Sequence, residues 1–343
     1  MSSSSLRFAL IGASDIAATR VAPALRRSGH EVVAVLSSSV ERGRAYADAN
    51  EIPDAASDLE PLLARDDIDA VYVSTTNELH CAQVLAAAAA GKHVLCEKPL
   101  AMTLADAWSM VDACERAGVV LATNHHLPAA GTHAAIAGLV QDGAIGEPVA
   151  VRVFHAVSLP ERLQGWRLTS PERGAGVALD ITCHDAAAVN AILGRPALEA
   201  AAIAVSQGPW SAVAEDALMS AIRYEGDVLV QTHDAFTVPY AGSGLEVHGT
   251  EGSIIARDVM TQDPVGRIVL RTKARESSVD PSHREDLYDH TIDAFAGAIA
   301  GEGLPIVDGV AGVRALAVAI AVKEAAESGR TAQIAWQRAA AAA

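Results

Sequence analysis

Lysine is scarce in this chain of 343 residues, four against 22 arginines, and positive charge as a whole is in deficit. With 26 basic and 42 acidic side chains the formal net charge is −16, which argues against nucleic acid or an anionic membrane surface as partner. Cysteine is sparse and unpatterned. Cys81, Cys96, Cys114 and Cys183 form no Cys-x-x-Cys pair, and three lie in apolar helix or strand contexts, so reduced, buried thiols of a cytoplasmic protein are expected. Long apolar runs are missing too: Val84–Ala90 is closed by Gly91, and Val310–Val322 is broken by Arg314, so no membrane span is expected. Met1–Ser5 lacks the basic-then-apolar pattern of a secretory signal, and the closing Ala339–Ala343 carries no fold argument. No internal repeat and no polar low-complexity segment is found.

What is present is an ordinary globular composition, half apolar, long enough for about two domains with separate cores. The first third alternates strand and helix. Strands are expected at Leu6–Ile11, Val32–Leu36, Val71–Ser74, Val94–Cys96 and Val119–Thr123. Helices fall between them, from the Gly12 turn to about Arg27 and at Val40–Asn50, Leu79–Ala90 and Leu104–Ala117. Such alternation gives right-handed crossovers and a doubly wound parallel sheet, a Rossmann domain over residues 1–126.

The turn Gly12-Ala13-Ser14-Asp15-Ile16-Ala17 is a degraded dinucleotide fingerprint: Gly12 holds the first glycine position, while Ser14 and Ala17 replace the second and third. Its context, after the first strand and opening a helix, still suits a pyrophosphate held by helix N–H groups. Gly12, Ser14 and Ile16 are the candidate contacts. The second strand ends Leu36-Ser37-Ser38-Ser39 with no carboxylate to hold a ribose 2′-hydroxyl, and Arg42 follows. Serine hydroxyls and a guanidinium suit a 2′-phosphate, so Ser37 and Arg42 point to NADP; a capped helix start is the plainer reading of the serines.

Residues 93–102 end a buried strand in Glu97-Lys98-Pro99. Pro99 has no N–H for the ladder, and a lysine at the carboxyl end of a parallel strand faces the crevice where such sheets bind ligands. In a chain this poor in lysine, Lys98 reads as functional. The polar cluster Ser74, Thr75, Thr76, Asn77 and His80 follows another strand and is expected to face the same crevice, as are Glu97 and Asn124; an exposed first-turn position is an equal reading of His80. His125 and His126 are adjacent. Neighbours on an extended chain point apart, and no third ligand has suitable spacing, so one of them, His126, lining the crevice is preferred to a metal site.

Gly143–Pro148 punctuates the chain, and residues 127–338 read as a second domain. Its strands, near Val149–His155, Leu198–Ser206, Ala217–Tyr224, Val228–Phe236, Leu245–His248, Ser253–Arg257 and Ile268–Thr272, form an open, mainly antiparallel sheet. Late helices at Tyr288–Ala300 and Asp308–Ser328 cover it or return to the first domain. A glycine-led helix carries Asp180 and His184 at i and i+4 on an otherwise apolar face. A structural pair is one reading; a catalytic pair is the sharper one, since histidine titrates near neutrality and a carboxylate can orient it. Upstream, Trp166 and Arg167 offer an aromatic face and a forked donor for a sugar, a polyol or the cofactor; Trp166 as ordinary interface core is an equal reading.

The Glu97-Lys98-Pro99 turn and the Asp180/His184 helix resemble the glucose–fructose oxidoreductase/inositol dehydrogenase superfamily, over nearly the whole chain. Further shared runs are Ile11–Ser14, Ser74–His80, His93–Thr103, Thr123–Leu127, Phe154–Val157, Gly165–Leu168 and Glu246–Ser253. The helix start Asp15–Arg20 departs from the pattern. The resemblance implies NADPH-dependent reduction of a cyclic sugar ketone. In that reading His184 donates the proton, Lys98 supplies positive charge beside the carbonyl oxygen and lowers the imidazole's pKa, and Asp180 orients the pair or holds a hydroxyl. The substrate would contact Lys98, His126, Trp166, Arg167, Asp180 and His184. Other sugar or inositol dehydrogenases, and a non-catalytic NADP-binding sensor on the same scaffold, are the alternative readings. The sequence does not choose between monomer and homo-oligomer.

Overall fold

A computed structural model describes residues 5–210 and 213–338; the readings of the extreme amino end and of Ala339–Ala343 lie outside the described residues. The chain divides into two compact units: residues up to His125 together with Tyr288–Gly312, and His126–Leu287 together with Val313 onward.

The first unit contains β1 (Arg7–Ile11), α1 (Ala22–Arg27), β2 (Glu31–Leu36), α2 (Val40–Ala49), β3 (Asp54–Ala56), α3 (Leu59–Leu63), β4 (Ala70–Val73), α4 (His80–Ala89), β5 (His93–Cys96), α5 (Leu104–Ala117) and β6 (Leu121–Thr123). The strands form a parallel sheet in the order β3-β2-β1-β4-β5-β6. The order reverses between β1 and β4, and the crevice beyond the carboxyl ends at such a point is where ligands bind. β4 and most of β1 and β5 are buried on both faces, which is why they read as unbroken apolar runs. Phe8, Leu10, Val35, Tyr72 and Leu95 form the core with Ile292 and Phe295 of the late helix Leu287–Ile299. The edge strand β3 was not expected: Asp54-Ala55-Ala56 is too short and too polar to announce itself. The helix after Gly12 also differs from expectation. It opens as a π-wound turn, Ala17–Val21, before α1 takes over around Pro23, whose missing N–H suits a first helical turn.

The second unit contains α6 (Gly131–Gln141), β7 (Pro148–Ala156), α7 (Trp166–Thr169), α8 (Cys183–Leu193), β8 (Ala197–Val205), β9 (Ala217–Tyr224), β10 (Val228–Ala235), β11 (Gly244–Gly249), β12 (Gly252–Arg257), β13 (Arg267–Thr272), β14 (Glu276–Val279) and β15 (Ala332–Gln333). They form one sheet ordered β14-β13-β12-β11-β7-β10-β9-β8-β15. Only β7 and β10 pair in parallel; the other neighbours are antiparallel. Alternation is clean: Ser220, Ile222, Val230 and Thr232 are buried, while Met219 and Leu229 are exposed. α8 is buried along most of its length. The helical run Pro171–Leu193 that contains it would pass for a membrane span by length and composition alone, but 83% of its window is buried inside the protein, as in a core helix. The i,i+4 helix expected at Asp180 and His184 also begins irregularly, with a π-wound turn at Ala178–Thr182 before α8. Such turns recur at functional sites.

Candidate active site

In the first unit, the expected cofactor residues gather at the carboxyl ends of β1, β2 and β4. Gly12 has φ +115°, and a Cβ there would stand 3.0 Å from Ser74 C, Ser74 O and Thr75 N, so only glycine lets the two loops touch. Ser14 Oγ donates to Ser74 Oγ at 2.8 Å and accepts from Ala17 N at 3.2 Å, while Tyr46 Oη donates to the Ser14 carbonyl at 2.8 Å. Ile16 packs on the core, anchoring the turn. Ser37 is buried, and its Oγ has no hydrogen-bond partner. Ser39 caps α2 by accepting from Arg42 N at 3.2 Å, and the Arg42 side chain is exposed. An orphaned buried hydroxyl, a glycine cradle and an exposed guanidinium after β2 fit a dinucleotide.

The loop after β4 is internally tied. Thr75 Oγ1 donates to Gln83 Oε1 at 2.7 Å and Thr76 Oγ1 to Glu78 Oε1 at 2.8 Å, and Asn77 is buried. His80 is fully buried, with Nδ1 3.0 Å from Pro99 O and Nε2 3.3 Å from Thr75 O, and burial lowers its pKa. Its ring braces the backbone of both loops, which puts it behind the surface it was expected to line. The Lys98-Pro99 peptide is cis. Glu97 accepts from Tyr72 Oη and from Asn124 Nδ2, both at 2.5 Å; burial raises its pKa, and these two donors oppose the rise. This Tyr72–Glu97–Asn124 set fixes the start of the lysine turn. His125 is buried and held neutral, its pKa lowered to about 3 by burial and then by the Lys98 charge.

In the second unit, Arg167, Asp180, His184 and His126 come together in two contacts. Arg167 Nε lies 3.5 Å from Asp180 Oδ2, and its Cζ stands 4.7 Å from the centroid of the Trp166 ring. One face of that ring, expected to carry a sugar, is therefore taken by the guanidinium. His184 is 6% exposed, and His126 meets it edge-on with centroids 4.5 Å apart. The glycine-led entry is explained by Gly176: at φ +112°, a Cβ would press into the Glu215 carboxylate at 2.3 Å.

Beyond His184 lies a set that spacing did not reveal. The His155 ring centroid is 6.5 Å from that of His184, and His155 Nδ1 is 2.7 Å from Asp185 Oδ1. Thr182 and Thr232 donate to Asp234 Oδ2 at 2.5 and 3.1 Å. A signal did exist: Thr232 and Asp234 continue the buried parity of Val228 and Val230, and His155 that of Val151 and Val153. Polar residues at core parity require partners.

Residues 6–125 match the oxidoreductase family described as having an NAD-binding Rossmann fold, and residues 137–334 match that family's C-terminal alpha/beta domain. The chain is 52% identical over 328 residues to 1,5-anhydro-D-fructose reductase of Ensifer adhaerens, covering 96% of this chain and 98% of the relative. It is 29% identical to D-xylose 1-dehydrogenase (NADP(+)) 2 of Haloferax volcanii, over 96% of this chain and all of the relative. Among solved structures, aldose-aldose oxidoreductase from Caulobacter crescentus, complexed with glycerol, superposes with TM-score 0.86 at 25% identity, covering 96% of this chain and 99% of that one. The chain belongs to this oxidoreductase family, with its Rossmann and α/β domains both present.

Proposed function

We propose that the protein is an NADPH-dependent reductase of a cyclic sugar ketone, converting 1,5-anhydro-D-fructose to 1,5-anhydro-D-mannitol. The observation that carries this reading is the 52% identity, over nearly the full length of both chains, to the Ensifer adhaerens reductase. The β2 end adds cofactor chemistry: a carboxylate there would repel a 2′-phosphate, whereas Ser37 and Arg42 attract it. Bound NADPH supplies the hydride. His184, protonated, donates to the forming alkoxide. Lys98 gives positive charge to the developing oxyanion, which is worth most where water is excluded. Asp180, its charge offset by Arg167 at 3.5 Å, accepts a hydroxyl of the substrate. His126, edge-on to His184, holds the donor ring.

Steady-state oxidation of NADPH with 1,5-anhydro-D-fructose, D-fructose and scyllo-inosose tests the reading. The anhydroketose is expected to give the highest kcat/KM. A higher value for inosose would move the protein to another sugar reductase, and tight NADPH binding without turnover of any ketone would make it a sensor. Lys98→Met and His184→Ala are each expected to lose about 10²–10⁴ in kcat while binding NADPH normally. Near-normal turnover in either removes that residue from the mechanism.

A further inference from the structure

The sheet of the second unit is apolar on its buried face except at one end. There Asp234 on β10 stands beside His155 on β7, register partners in the parallel pair, and the next row places Thr232 against Ser220 on β9. α8 lowers Asp185 onto this end, and both Asp185 and Asp234 are completely buried. Each carboxyl has one oxygen already held, Asp185 Oδ1 against His155 and Asp234 Oδ2 by the two threonines. The remaining oxygens, Asp185 Oδ2 and Asp234 Oδ1, accept from no donor, although the two carboxyls lie within hydrogen-bonding reach of one another. Two ionised carboxylates in such contact, out of water, repel; one proton between them satisfies both oxygens at once.

We propose that Asp185 and Asp234 share a proton, and that this pair, through His155, sets the ring orientation and proton affinity of His184. The inference rests on the reading of His184 as proton donor. A carboxylate accepting from Nδ1–H fixes the His155 tautomer and leaves Nε2 as an acceptor. His155 is then held in one orientation, its ring tilted at 46° to that of His184 with centroids 6.5 Å apart. Because the pair can gain or lose one charge, His184 feels a neighbour whose charge varies with pH. His184 also faces His126, with ring centroids 4.5 Å apart, and follows Asp180, which Arg167 approaches at 3.5 Å; the variants below leave these groups in place. Tyr224 on β9 is pushed up by burial, and His133 on α6 is pushed down to about 4 by burial and then by His155. Asp185 is itself raised to about 7 by burial, and Asp234 is raised well above the usual carboxylate range by burial and by Asp185. His155, Asp185 and Asp234 are thus positioning residues, acting through His184.

The test is a ¹⁵N NMR titration of the histidine rings in the wild type, Asp185→Asn, His155→Gln and the double variant, with kcat followed against pH. Asp185→Asn takes away the carboxylate that holds His155 and leaves Asp234 alone, so the His184 midpoint is expected to fall by at least half a pH unit, about threefold in its equilibrium. The kcat profile should move with it while KM for NADPH holds. In the His155→Gln background Asp185→Asn should add little, since the link is gone. An unmoved His184 midpoint in folded Asp185→Asn overturns the proposal, and so does an equal shift in both backgrounds. Should Asp185→Asn not fold, His155→Gln alone decides: an unchanged midpoint overturns it and a changed one supports it. The titration needs no substrate. A shift seen in a protein that reduces no ketone would leave the pair standing and remove only the enzymatic reading.

Discussion

Gly12→Ala strikes the point on which the cofactor end of the first unit depends. The residue sits at φ +115°, where an alanine costs about 1–3 kcal/mol of backbone strain. The new Cβ would also stand 3.0 Å from three backbone atoms of Ser74 and Thr75, none of which can rotate aside. The loop after β4 must then retreat by a few tenths of an ångström. Ser74 N donates to Ile11 O at 2.9 Å and Ser14 Oγ to Ser74 Oγ at 2.8 Å, so loss of one such bond adds about 1 kcal/mol. Together the cost is about 2–4 kcal/mol, which for a domain of this size is a fall in Tm of roughly 5–15 °C. NADPH affinity should fall at least about tenfold, because both loops displaced are those expected to hold the phosphates. Scanning calorimetry and fluorescence titration with NADPH measure the two effects. A Tm within about 2 °C of wild type with unchanged NADPH affinity would refute the claim that the close approach at Gly12 builds this site.

Arg42→Ala should reduce the proposed preference for NADPH over NADH about tenfold, the lower end of a charge-assisted hydrogen bond, because this guanidinium is exposed. The ratio of kcat/KM for the two cofactors reads it, and an unchanged ratio would place the 2′-phosphate elsewhere. The acid limb of stability is a second expectation. His133 is buried with Nε2 unpartnered and titrates near 4 when folded, against about 6.5 unfolded. The unfolded chain therefore binds the extra proton between these values, and stability falls as pH drops through that window, by at most about 1.4 kcal/mol per pH unit for this group. His133→Phe should lose less stability than wild type between pH 6.5 and 4.5 in urea titrations; parallel losses would show that His133 is not held neutral.

The fold was legible because the first sheet is buried on both faces and the second on one, and these burial patterns write themselves as unbroken and alternating runs. Where a strand is short or peripheral the writing fades: β3, β14 and β15 bury too little to impose a pattern, and none was expected. The site divides in the same way. Gly12, Ser37 and Lys98 stand at strand ends, positions that the sequence alone picks out as candidates. Arg167 and Asp180 are 13 residues apart and joined only by folding, and the guanidinium over Trp166 follows from no spacing rule. The pair behind His184 is the clearest case. Asp185 adjoins His184 in the sequence but passes for a helix residue, and its partners His155 and Asp234 lie 30 and 49 positions away on different strands. Each alone is a polar residue at a buried parity, which says only that a partner exists. Naming that partner requires knowing that β7 and β10 are neighbours and parallel, the one exception in an otherwise antiparallel sheet. The parallel pairing places His155 beside Asp234, so the exception to the sheet's rule is also what assembles the polar cluster.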